Sequence, residues 1–178
     1  MMIPLIILSC LLWVAAFLAL PKRIIIAPAL SYCALLVVSF ARLNGYTIVP
    51  LGTPMTISWL CITLVMTLIL IVQNPALRQQ SRGVGYMTLG SLAGMAVGLM
   101  AFTFSASLNA LYAIMLGATV VGTFLGLFLF SNTPDGSEIR LPSHRFFRYL
   151  LAKGFPVVIT TAQLGIAAVI LIALLNSF

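Results

Sequence analysis

Residues 85–100 read GYMTLGSLAGMAVGLM. The stretch has no charged residue, and its apolar positions run on without a period of two. A strand of a membrane barrel alternates apolar and polar side chains, so a continuous apolar run selects a helix. In lipid such a helix satisfies its backbone groups within itself. Gly90, Gly94 and Gly98 recur at four-residue spacing and therefore share one helical face. Residues 115–128, MLGATVVGTFLGLF, place Ala118, Gly122 and Gly126 at the same spacing. Two faces without side chains let backbones approach, and van der Waals packing then replaces the hydrophobic drive that lipid removes. A short connection near residues 105–109 makes a tight antiparallel hairpin the expectation. The sequence leaves open whether these faces pack on each other or against a partner subunit.

The rest of the chain has the same texture. Of 178 residues, 62% are hydrophobic and 6% charged, with a mean hydropathy of +1.21. A soluble domain carries about 25% charged residues, so there is too little polar surface here for water. Six apolar runs are long enough for a ~30 Å hydrocarbon core. They cover approximately residues 3–20, 24–41, 56–73, 85–105, 108–131 and 155–176. The expected fold is an all-α integral membrane protein, a single six-helix transmembrane domain over residues 1–178. The first run lacks the basic leading region of a cleaved signal and is expected to stay as a helix. Pro28 lies about one turn into the second run, where a kink or a displaced start is expected.

Lys and Arg near span ends are retained in the cytoplasm. The odd connectors hold eight cations, among them Lys22, Arg82, Arg145, Arg148 and Lys153, against Arg42 alone in the even ones. Both termini are therefore expected on the non-cytoplasmic side of a membrane of the bacterial inner-membrane type. The net charge of +7 is a topology signal spread over short connectors, and nucleic acid is not an expected partner. The uncharged connector 43–54 reads as surface-lying, with a lid over an outward cavity as the sharper alternative.

Chemistry has few places to reside. No Asp, Glu, Lys, Arg or His falls inside the six runs. Intramembrane charges mark ion and proton paths, so a proton pump or a carboxylate-lined ion site is disfavoured. Cys10, Cys33 and Cys61 lie in apolar runs without His or carboxylate neighbours and read as small buried hydrophobes. Asp135, Glu138 and His144 match no metal-ligand spacing, and the turn at 132–136 reads as solvated. No metal, cofactor or catalytic residue is expected.

Thr160, Thr161 and Gln163 form the most polar intramembrane group. Counting 1.5 Å per residue from the cytoplasmic ends puts Gln163, Thr123, Ser91 and Thr67 near one level. Gln163 is expected to bond one of these three, as interhelical glue or as part of a neutral solute site. Residues 143–153 read as a short amphipathic helix before the last run. Its apolar face would carry Phe146, Phe147, Leu150 and Leu151, with His144, Arg145 and Arg148 opposite and Lys153 at its end. That helix is expected to lie in the interface against anionic headgroups or an acidic partner.

Two functions fit. The first is a non-catalytic subunit or scaffold of a larger membrane complex, associated with lipids and with other membrane subunits or itself. The second is a small six-helix transporter or substrate-binding component for a neutral or apolar molecule.

Overall fold

The computed structural model describes residues 2–22, 24–39, 53–73, 82–100, 108–139 and 144–175. Residues 43–52 of the uncharged connector, most of the connection at 105–109, and Arg23, Arg42, Arg78 and Arg140 lie outside the described residues. The elements are α1 (Met2–Lys22), α2 (Ile26–Ser39), α3 (Thr53–Val72), α4 (Val84–Met100) and α5 (Leu108–Ser131). A 3-10 turn (Pro134–Ile139), α6 (His144–Tyr149), a π segment (Leu150–Gly154) and α7 (Phe155–Leu175) follow. Among the described residues there is no strand.

Four stretches are long and apolar enough to cross a membrane: Pro4–Lys22, Pro54–Val72, Ala110–Ser131 and His144–Val169. Two apolar helices are shorter, α2 with 14 residues and α4 with 17. At 1.5 Å per residue these measure about 21 and 25 Å, against a core of ~30 Å. Pro28 is the third residue of α2, where its missing N–H costs no helical hydrogen bond, so the start is displaced and Pro28 lies in the first turn.

The last helix is the centre of the bundle, in contact with α1, α2, α3, α4 and α5. Its span window is 72% buried, compared with 22% for those of α1 and α3. The peripheral helices bury a single stripe each. In α1 it is Ser9, Trp13, Ala16 and Leu20; in α3 it is Trp59, Thr63, Met66 and Leu70. Both stripes step by four, three and four residues, the spacing of one helical face. The remaining apolar side chains, such as Leu11, Leu18, Leu64 and Leu68, point outward, as they do where the solvent is lipid. Side-chain bonds tie the first three helices: Ser9 Oγ donates to the Ala34 carbonyl at 3.1 Å, and Tyr32 Oη to the Thr56 carbonyl at 3.2 Å.

The entry to α7 differs from the sequence reading. The helix expected to end at Lys153 is not a separate interfacial element; helical backbone continues from His144 through Pro156 to Leu175. Pro156 cannot donate to the carbonyl four residues back, and its ring crowds that carbonyl. Widening of the preceding turn into the π segment takes up the misfit, and Phe155 keeps helical angles of φ −59°, ψ −48°. The turn after α5 keeps Asn132, Pro134 and Asp135 exposed, as expected of a solvated turn, and backbone bonds order it. Thr133 N donates to the Phe130 carbonyl at 2.9 Å, Gly136 N donates to the Thr133 carbonyl at 3.1 Å, and Gly136 is buried.

Candidate functional site

Gln163 is fully buried on α7 and is held by two other helices. Thr63 Oγ1 donates its proton to the Trp59 carbonyl at 2.7 Å, so toward the amide it can only accept. Gln163 Nε2 supplies that bond at 3.0 Å. The amide orientation follows, and Oε1 faces Ser31 Oγ of α2 as an acceptor. Ser31 Oγ also lies 2.9 Å from the Pro28 carbonyl. One amide thus joins α2, α3 and α7.

Thr67, Ser91 and Thr123 are not the partners of Gln163. Thr67 Oγ1 donates to the Thr63 carbonyl at 2.7 Å and Thr123 Oγ1 to the Thr119 carbonyl at 2.8 Å, each inside its own helix. Thr161 Oγ1 bonds back to the Val157 carbonyl at 2.9 Å. Ser91 Oγ and Thr160 Oγ1 are buried without a hydrogen-bond partner. The physical reason is the packing: α7 presents Gln163 to α2 and α3, so the amide meets hydroxyls of the first half of the chain. A depth count along α2 carried the signal, because Ser31 is eight residues from Arg23 as Gln163 is eight from Phe155.

The small-residue faces of α4 and α5 lie against each other within the chain. A Cβ at Gly90 would meet the Gly122 carbonyl, one at Gly94 the Ala118 carbonyl, and one at Gly126 the Tyr86 carbonyl. A Cβ at Gly98 would sit 2.6 Å from Met115 Cα. At the start of α4, Gly83 adopts φ +83° against the Phe130 ring, where the left-handed backbone and the ring both exclude a side chain. On the outer side of the pair the seam forms the floor of an apolar groove of about 530 Å³ running between Tyr86 and Leu129 at one end and Val97 and Ala118 at the other.

The 143–153 segment divides three ways, and two of its expected surface residues are interior. Phe146 is fully buried, with its ring edge-to-face on Phe124 at 5.5 Å and on Phe147 at 5.6 Å. Lys153 is buried as well, and Leu150 packs partly buried against the core. Positions 146, 149, 153, 157 and 160 continue one inward stripe into α7, because the segment prolongs the last span instead of lying flat beside it. Tyr149 belongs to that stripe and its hydroxyl donates to the Arg82 carbonyl, tying the segment to the start of α4. Phe147 and Leu151 are exposed on a second face, and His144, Arg145 and Arg148 on a third. Asp135 and Glu138 are exposed, and no group of three His, Cys, Asp or Glu side chains able to hold a metal occurs among the described residues. Cys10, Cys33 and Cys61 are free thiols exposed on the helix surfaces rather than buried as read from sequence.

Comparison with family models, curated proteins and solved structures gives no match.

Proposed function

We propose that the chain is a non-catalytic polytopic subunit, a scaffold or accessory part of a larger complex in a bacterial-type cytoplasmic membrane. The observation that carries this reading is the use of Gln163. The buried amide of Gln163 bonds Ser31 through its oxygen and Thr63 through its nitrogen, so its interactions run between helices, as those of a packing group do. The reading includes six crossings with both termini non-cytoplasmic, supported by the eight-to-one distribution of cations between connectors. Its partners are other membrane subunits or a second copy, and anionic lipid on the cytoplasmic side.

Purification in gentle detergent followed by mass spectrometry tests this. A stoichiometric membrane partner is the expected result. A lone monomer that carries a neutral small molecule overturns it and favours a compact transporter or solute-binding component. One observation supports that second reading: Ser91 Oγ and Thr160 Oγ1 are buried donors without partners.

Gln163→Leu separates the two. As a tether it removes two interhelical bonds, a loss of about 1–3 kcal/mol, and lowers both the unfolding temperature and assembly. A double-mutant cycle with Thr63→Val should then show coupling. Unchanged stability together with lost solute retention would support the transporter instead. Reversing Arg145 and Arg148 together to Glu is expected to weaken partner or lipid co-purification while helical content by circular dichroism stays the same. Unaltered co-purification would remove the basic face from the interaction.

A further inference from the structure

The groove on the outer side of α4 and α5 has a shape, a depth and a charge that define an occupant. Its rims are the exposed side chains of Leu89, Ala93 and Val97 on α4 and of Val121, Leu125 and Leu129 on α5. From Tyr86 to Val97, and from Leu129 back to Ala118, the walls are each twelve residues long, eleven helical rises or about 16 Å. That is close to half of a ~30 Å hydrocarbon core, the depth of one leaflet. A helix of a second subunit would run along the whole core, whereas an acyl chain occupies one leaflet, the depth over which the described residues line this groove.

The groove also has a charged mouth. Tyr86 and Leu129 close the end nearest the α4 N-terminus. Leu129 adjoins Phe130, whose ring lies against Gly83 and 5.6 Å from the Tyr86 ring. Arg82, the residue before Gly83, is exposed there, and its carbonyl is anchored by Tyr149 Oη. A cation at the membrane surface above an apolar slot one leaflet deep is complementary to an anionic phospholipid.

We propose that this face of the α4–α5 pair binds one acyl chain of an anionic phospholipid, with the headgroup phosphate against Arg82. The site is separate from the Gln163 tether and does not depend on the subunit reading. Lipid is held here by shape, since the surrounding bilayer is equally apolar. Small floor residues let the chain sit deeper than on an ordinary helix surface, and Arg82 selects the headgroup.

The test uses the full chain in nanodiscs of equal parts phosphatidylglycerol and phosphatidylethanolamine, extracted into mild detergent and counted by native mass spectrometry. The wild type is expected to keep one phosphatidylglycerol per chain. Ala93→Phe fills the groove from an exposed position and should abolish retention; Leu125→Trp does so independently from the opposite rim. Leu68→Phe, on the exposed side of α3, should retain lipid as the wild type does. Arg82→Gln should keep a lipid but reduce the preference for phosphatidylglycerol about fivefold. Lipid retention unchanged by both groove-filling variants overturns the proposal, as does a wild type that keeps none. If Ala93→Phe instead dissociates a dimer without changing lipid, a second copy is the occupant. Asp135 and Glu138 are exposed on the turn beyond Ser131, and a mouth governed by them would leave Arg82→Gln without effect, overturning the headgroup assignment.

Discussion

Gly122→Leu is expected to abolish the folded bundle, and Gly117→Leu, five residues earlier on the same helix, to leave it intact. A Cβ at position 122 would fall on the Gly90 carbonyl, 2.9 Å from its carbon and 3.1 Å from Gly94 Cα. These are backbone atoms and cannot turn aside as a flexible side chain would. The helices must separate, and the neighbouring approaches at Gly90, Gly94 and Gly126 then open together. The cost is at least about 3 kcal/mol, the upper range for overpacking a close contact. At Gly117 nothing lies within 4 Å of the added atom. Leu is a better helix former than Gly by roughly 1 kcal/mol at either site, so local propensity favours both substitutions and cannot explain a difference. The measurement is the monodisperse fraction and unfolding temperature in detergent. Equal behaviour of the two variants would mean that the α4–α5 backbones do not touch.

How much of this could be read beforehand depends on whether a feature is set by one helix or by its neighbours. Continuous apolar runs and scarce charge point to helices in lipid, and these properties belong to each segment alone. The positions of Gly90 and Gly122 are also legible, because four-residue spacing defines a face before any partner is known. Which face meets which is a property of the bundle. The partners of Gln163 show this: Thr67 and Thr63 lie one turn apart on α3, yet only Thr63 takes the amide. Ser31 was legible by depth but not by direction, since only the packing of α2 on α7 turns it inward. The final segment gives the same lesson. A helical wheel groups Phe146 with Phe147, and only the continuous helix through Pro156 decides that one is interior and the other is not.

That distinction predicts the second large effect. Phe146→Ala should destabilise the bundle by about 2–4 kcal/mol, whereas Phe147→Ala should cost less than about 1 kcal/mol. Phe146 is fully enclosed, with Phe124 and Phe147 edge-on to its ring, and its removal leaves a cavity between α5 and the start of the last helix. The value lies below the usual range for a buried Phe because the unfolded helices remain in lipid, so little transfer energy is lost and the lost contacts dominate. Phe147 is half exposed and loses mainly its contact with Phe146 and with lipid. Phe146→Leu, which refills part of the space, should recover much of the loss. Unfolding temperatures of the three variants in one detergent decide the matter. If Phe147→Ala were the more damaging change, the segment would lie flat at the interface with Phe147 as its anchor. The inward stripe from Phe146 through Tyr149 and Lys153 to Val157 would then not be continuous with the last span.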